Sequence, residues 1–245
     1  MGSIAANLQA VRDRIVQAAR SAGRTPEAVS LLAVSKTFPL AAIDEAWQAG
    51  QRAFGENYVQ EALGKMDAFA AAWPERAVQW HFIGPLQSNK TRPVAERFDW
   101  MHSVGSLRVA RRLSEQRPEG RAPLAVCLQV NVSGEASKSG VAEDELADLA
   151  REVATLPRLA LRGLMCIPAP CADPARQREP FARLRGLLEA LRAGGLDLDT
   201  LSMGMSDDLE AAVAEGATCV RAGSAVFGRR AHAPAVPGFA REIPV

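Results

Sequence analysis

Four lysines, Lys36, Lys65, Lys90 and Lys138, stand against 25 arginines in this chain. Where charge alone is needed the sequence mostly uses arginine, so a lysine marks a place where an amine has value. An amine can lose its proton and attack a carbonyl, whereas a guanidinium stays charged. Lys36 is the candidate nucleophile. It follows the core-type run 31–35, so its stem should be buried, and burial favours the neutral, nucleophilic form of an amine. The competing reading is a strand-end lysine that snorkels to solvent. Lys65 reads as an exposed helix residue. Lys90 and Lys138 sit in the polar loops 87–90 and 137–140, where ion pairing and anion binding are both open.

Two further stretches have the chemistry to hold an anion. Residues 202–209, Ser-Met-Gly-Met-Ser-Asp-Asp-Leu, join a strand-like run to a helical one. Gly204 permits a tight turn, and the hydroxyls and the helix start offer hydrogen bonds to an anion. Asp207 and Asp208 would repel a phosphate if they faced it; Asp207 with Glu210 fits a capping box, which makes both first-turn helix residues. In residues 221–228, Arg-Ala-Gly-Ser-Ala-Val-Phe-Gly, Gly223 lets a ligand approach the backbone and Ser224 adds a hydroxyl. The plain alternative is two ordinary left-handed turns.

The elements that must position these residues are legible as repeated apolar runs. They span 31–36, 52–57, 79–84, 100–104, 124–132, 161–167, 200–204 and 219–223, and helical patterns at 40–49, 142–155, 179–193 and 207–215 lie between some of them. Strands alternating with helices imply parallel pairing with right-handed crossovers. Eight units in 245 residues fit a closed (β/α)8 TIM barrel of one domain, with an extra N-terminal helix over 3–22. An open doubly wound sheet is the alternative, but no GxGxxG follows the first run. In a barrel the chemistry sits at the C-terminal strand ends, and Lys36, Asn57, Ser103, Asn131, Ser206 and Arg221 fall at or near those ends.

Composition narrows the function classes. Apolar residues make up 48% of the chain, and 29 Lys plus Arg against 28 Asp plus Glu leave a net charge of +1. That balance gives no support to a nucleic-acid partner. No apolar run approaches the ~18 residues needed to cross a bilayer, so no membrane partner is expected. Cys127, Cys166, Cys171 and Cys219 form no CxxC pair and read as reduced, core-filling thiols, with no metal site and a cytoplasmic setting.

Taken together, LLAVSKTFP at 31–39, FGENYVQE at 54–61, HFIGPLQSNK at 81–90, FDWMHSV at 98–104, QVNVSGEASKSG at 129–140, LRGLMCIP at 161–168, LSMGMSDDLEAA at 201–212 and VRAGSAVFG at 220–228 resemble the pyridoxal phosphate homeostasis protein family. The likeness runs in order along nearly the whole chain. It implies a barrel related to the N-terminal domain of alanine racemase and pyridoxal 5′-phosphate as cofactor. By matching positions it makes Lys36 the Schiff-base lysine. Ser206, Gly223 and Ser224 become phosphate-binding residues, and Arg221 the arginine facing the pyridine nitrogen. Asn57, His81, Ser202 and Met203 become pocket-lining residues. Gly105, where an acidic residue is common, and Ala222-Gly223-Ser224, where Ile-Gly-Thr is more usual, depart from the family pattern; the second keeps the glycine and the hydroxyl.

An arginine cannot take up a pyridine proton, so the ring nitrogen facing it stays neutral and is a poorer electron sink. The resembled racemases complete their site with a tyrosine from a second domain of a partner subunit. Here Tyr58 is the single tyrosine, the histidines are His81, His102 and His232, and the chain ends at Val245. The expectation is therefore a non-catalytic carrier in intracellular pyridoxal phosphate homeostasis. Pyridoxal phosphate and the apo-enzymes that use it would be its partners, and a monomer is favoured. A pyridoxal-phosphate-dependent amino-acid racemase and a plain anion-binding barrel are the alternatives.

Overall fold

The computed structural model of the chain describes residues 2–133, 139–171 and 173–228; Lys138 and His232 lie outside them. Eight parallel strands close into a barrel in chain order, β1-β2-β3-β4-β5-β6-β7-β8. They are β1 (Ser30–Val34), β2 (Ala53–Glu56), β3 (Gln79–Phe82), β4 (Trp100–Val104), β5 (Leu124–Gln129), β6 (Leu159–Met165), β7 (Thr200–Met205) and β8 (Cys219–Ala222). Closure is made by β8 against β1, with Leu31 opposite Val220 and Leu32 opposite Arg221. The doubly wound alternative is thereby excluded.

Among the described residues ten helices surround the barrel: α1 (Ile4–Ser21), α2 (Leu40–Gln48), α3 (Val59–Ala72), α4 (Thr91–Arg97), α5 (Leu107–Gln116), α6 (Leu146–Ala154), α7 (Pro174–Gln177), α8 (Glu179–Ala193), α9 (Leu209–Ala214) and α10 (Ser224–Phe227). The added helix α1 starts where the Ser3 hydroxyl accepts the Ala6 N–H, and buries Leu8, Val11, Ile15 and Ala19 on one face, the i, i+3/i+4 stripe expected of a docking helix. It packs chiefly on α9 and α10. There Asn7 donates to the Val226 carbonyl and Arg14 to the Ser206 carbonyl.

Strand alternation divides the apolar residues into two sets. Leu32, Val34, Ile83 and Cys219, with Ala53 against them, form a small cluster that fills the barrel interior. The larger cluster, which holds Phe54, Phe82, Met101, Val126, Leu128 and Met203, packs the outer wall of the strands against the helices. The interior also carries polar groups. His81, His102, Ser202 and Arg221 are all buried.

Two corrections to the local reading emerge. The strand before Lys36 ends at Val34, so Lys36 stands on the turn that follows. The capping box of Asp207 with Glu210 does not form: Asp208 occupies the N-cap position of α9 without a side-chain cap bond, its carboxylate accepting the Met205 N–H instead. Glu210 instead pairs with Arg14 at 2.7 Å.

Candidate functional site

The C-terminal mouth of the barrel opens into a cavity of about 450 Å³, within the ordinary range for a small-ligand site. Its wall includes Lys36, Asn57, Ser206, Asp207, Arg221, Gly223 and Ser224, with Val34, Phe38, Ile83, Ile167 and Met205 as its apolar part. These residues come from the ends of β1, β2, β3, β6, β7 and β8 and the loops after them, the strand–loop junctions where barrels carry their chemistry.

Each polar residue is held by its element. Asn57 follows β2 and lies against Gly84, where a Cβ would stand 2.2 Å from the Asn57 carbonyl oxygen; only glycine permits that approach. The Asn57 Oδ1 is buried with no hydrogen-bond partner among the described residues, so its amide has capacity left for a ligand. Ser206 is fixed by Arg14, which donates to its carbonyl, and its own hydroxyl accepts the Ala225 N–H at 3.3 Å. That bond ties the β7–α9 loop to the first turn of α10. Gly204, in left-handed conformation (φ 89°), lets α9 close on the strand, since a Cβ there would meet the Ala212 methyl at 2.5 Å.

Arg221 is 3% exposed. Its guanidinium donates to Ser202 Oγ at 2.8 Å and to the Cys166 carbonyl at 2.9 Å. Both partners are neutral, and among the described residues no carboxylate pairs with it. Burial pulls its pKa down from the ordinary arginine value, but that value lies so far above neutrality that the group stays charged. A buried cation with neutral partners is costly unless something electron-rich completes its surroundings. Here the cavity is the place for it.

From Arg221 a hydrogen-bond chain runs through the barrel interior to its base. Ser202 Oγ accepts from Arg221, so its own proton goes to His102 Nδ1 at 2.7 Å. His102 Nε2 and His81 Nδ1 are 2.8 Å apart, and His81 Nε2 is 3.0 Å from Gln79 Oε1. With Gln79 accepting, one assignment satisfies every link: both histidines neutral, each carrying its hydrogen on Nε2. Desolvation favours the same state. It lowers the His81 pKa to about 3 and is the main cause of the drop at His102, with the charge of Arg221 adding to it.

Of the nine residues expected at the site, Lys36, Asn57, Ser206, Arg221, Gly223 and Ser224 meet in one cavity wall. His81, Ser202 and Met203 are not in that wall. His81 and Ser202 reach it only through Arg221, and Met203 is buried in the core between barrel and helices. The sequence reading missed the polar cluster behind Lys36. Lys65, expected to be exposed, has a side chain only 10% exposed and bonds Glu56, Glu61 and the Ser35 carbonyl; the i, i+4 spacing of Glu61 and Lys65 was its visible signal. Lys90 is exposed and apart from the cavity wall. Cys127, Cys166 and Cys219 are buried free thiols, and burial pushes Cys166 up to about 12. Such thiols are inert at neutral pH.

Residues 6–231 match the family described as alanine racemase, N-terminal domain. A protein of Pseudomonas aeruginosa named pyridoxal phosphate homeostasis protein is 61% identical over 236 residues, covering 96% of this chain and 100% of the relative. A protein of the same name from Escherichia coli is 54% identical over 230 residues, covering 94% of this chain and 98% of the relative. Among solved structures, PipY of Synechococcus elongatus with PLP bound aligns with a TM-score of 0.79 at 38% identity, covering 92% of this chain and 100% of PipY. An alanine racemase of Corynebacterium glutamicum aligns with a TM-score of 0.65 at 19% identity over 91% of this chain and 62% of its own; that likeness concerns the fold alone.

Proposed function

The chain belongs to the alanine racemase N-terminal domain family and, within it, to the pyridoxal phosphate homeostasis proteins, and from that premise we propose that it is a carrier of pyridoxal 5′-phosphate. The observation that carries the reading is the cavity floor: a buried arginine with neutral partners beside an asparagine oxygen without one, in the same wall as an amine.

The residues present fit that cofactor. When bound it supplies an aldehyde, to which an unprotonated amine adds, forming a Schiff base and releasing one water. Lys36 is the amine in the wall, and Asp207 and Arg221 are the other ionisable groups there. Arg221 directs N–H groups at a ring nitrogen and cannot accept its proton, so it keeps that ring neutral. Asn57 turns its unsatisfied amide toward a ring substituent. Ser206 and Ser224, with the backbone at Gly223, hold the phosphate through hydroxyl and N–H donors.

Racemisation by two bases needs a second acid/base group facing the amine across the cofactor. Tyr58 is exposed on the rim and the two described histidines lie sealed in the barrel below. The site is thus equipped to hold and release rather than to turn over. We read the protein as a cytoplasmic, single-domain, monomeric store that protects the reactive aldehyde and supplies it to apo-enzymes.

Purified protein mixed with pyridoxal 5′-phosphate should show an absorbance band near ~420 nm, the ordinary signature of such a linkage. Borohydride should fix the adduct on Lys36, and Lys36→Ala should lose the band. An adduct mapped to another lysine, or rapid α-proton exchange of an amino acid in deuterated water, would overturn the carrier reading, the latter in favour of a racemase.

A further inference from the structure

Lys36 sits on a turn that the chain alone would not adopt. Thr37, the next residue, is in the left-handed region (φ 66°), which is unfavourable for a β-branched side chain. A strained turn persists only where its surroundings over-determine it. Here both neighbours of Lys36 are tied to one buried ionic cluster.

On one side, Ser35 donates its hydroxyl to Glu56 Oε1 at 2.6 Å, and its carbonyl accepts the Lys65 ammonium at 2.7 Å. The same carbonyl also accepts the Phe38 N–H, closing the turn. On the other side, the Thr37 N–H donates to Glu61 Oε1. The cluster is completed by Lys65, whose Nζ lies 2.8 Å from Glu56 Oε1 and 2.6 Å from Glu61 Oε1. An ammonium has three N–H donors, and Lys65 has three acceptors: the Ser35 carbonyl, Glu56 and Glu61. Its charge and geometry are therefore fully engaged. Glu56 comes from β2, and Glu61 and Lys65 from successive turns of α3. Strand β2 and helix α3 thus grip the turn that presents Lys36 to the cavity.

We propose that Glu56, Glu61 and Lys65 are positioning residues that hold the 35–38 turn so that the Lys36 amine enters the cavity. This rests on Lys36 being the amine that captures the aldehyde. The arrangement also assigns different tasks to two neighbouring lysines: Lys65 is the saturated, permanently engaged cation, and Lys36 the reactive one.

Two ligands separate positioning from general integrity. Pyridoxal 5′-phosphate is held by Lys36 as well as by the ring and phosphate contacts. Pyridoxine 5′-phosphate, an alcohol at the reacting carbon, can use only the latter. Capture of the first is read by absorbance and by the rate of borohydride trapping, and binding of the second by calorimetry. Glu61→Ala and Lys65→Met should each weaken capture of the aldehyde about tenfold, the equivalent of one lost charge-assisted hydrogen bond. Pyridoxine phosphate should bind all variants within about twofold of the parent protein. Glu61→Gln keeps an acceptor for the Thr37 N–H and should restore most of the capture.

Glu61 is partly exposed, so its two variants decide the matter if Lys65→Met does not fold. Parent-like capture by Glu61→Ala would overturn the proposal, as would equal losses of both ligands. Failure of the parent protein to capture the aldehyde at all would instead overturn the carrier reading.

Discussion

At the scale of single residues the site turns on what each basic group can and cannot do. Lys36 is chosen by chemistry, since an amine can attack and a guanidinium cannot. Arg221 has the opposite property, which the proposed reading uses: a guanidinium does not exchange its proton with a ring nitrogen. Its position has an energetic consequence. A buried cation whose partners are a serine hydroxyl and a carbonyl carries a desolvation cost, and among the described residues no carboxylate contacts it, Asp208 acting only at a distance. Replacing it with an apolar side chain of similar length should leave the ligand-free protein as stable as before or more so. Arg221→Met is therefore expected to match or exceed the parent melting temperature without ligand, to gain less from added pyridoxal 5′-phosphate, and to shift the absorbance of the bound form. Calorimetric melts with and without cofactor, together with the spectrum, check this. A large loss of stability in the ligand-free variant with an unchanged spectrum would mean that Arg221 is a structural strut and not a ligand contact. The contrast with His81 and His102 sharpens the point. Both are neutral links in the chain below Arg221, and desolvation holds both pKa values down. Their place is to orient the guanidinium from beneath, not to meet the cofactor.

At the scale of elements, the fit between sequence and structure is uneven for physical reasons. All eight strand runs were legible, because a strand buried on both faces reads as a continuous apolar stretch bounded by turn residues. Helices α3, α4 and α5 were not read from the sequence, although α3 buries Ala62, Met66 and Phe69 and α5 buries Val109, Ala110 and Leu113 at helical spacing. Lys36, Ser206, Gly223 and Ser224 stood out by residue type near strand ends and do share one cavity wall, whereas the role of each came from the resemblance. The cluster of Glu56, Glu61 and Lys65 did not stand out, since a lysine mid-helix looks solvated until the strand it covers is known. His81 and Ser202 were placed in the pocket by the resemblance, and the depth of a residue along the barrel, mouth or interior, depends on a register that the sequence does not display. The N-terminal helix has a task that its amphipathic pattern could not show. Through Arg14 it holds the carbonyl of Ser206 and pairs with Glu210, and through Asn7 it holds α10, so it braces both phosphate-side loops from outside the barrel. Loosening that brace should affect phosphate more than ring. Arg14→Ala is expected to weaken pyridoxal 5′-phosphate binding by about threefold to tenfold, the scale of one hydrogen bond to a charged group. Binding of unphosphorylated pyridoxal should change little. Parallel titrations of the two vitamers test this, and equal losses would place the role of Arg14 in overall stability.

At the scale of the whole molecule, the distribution of exposed apolar surface is uneven. Among the described residues the exposed large hydrophobic side chains are Tyr58 at 55%, Ile167 at 42% and Met205 at 36%. They follow or end β2, β6 and β7, and two of them, Ile167 and Met205, belong to the cavity wall itself. Single exposed apolar residues need no explanation, but their concentration around one opening marks a surface that meets something. A carrier must release its cargo, and a reactive aldehyde passes most safely when the donor mouth is covered by the acceptor. An apolar rim around a polar floor suits that transient contact, while in the proposed reading the cofactor is held by Lys36, Arg221 and the loops after β7 and β8. The two roles can therefore be separated by mutation. Tyr58→Asp, at an exposed residue outside the cavity wall, should keep the absorbance band and its borohydride-trapped adduct on Lys36. It should slow reconstitution of an apo-enzyme from loaded carrier by about fivefold, the scale of one lost interface anchor. The rate should be compared with that of reconstitution from free pyridoxal 5′-phosphate, which the substitution cannot touch. If transfer from the variant instead follows its spontaneous release rate, and the parent protein does the same, delivery passes through solution and the rim plays no part in it.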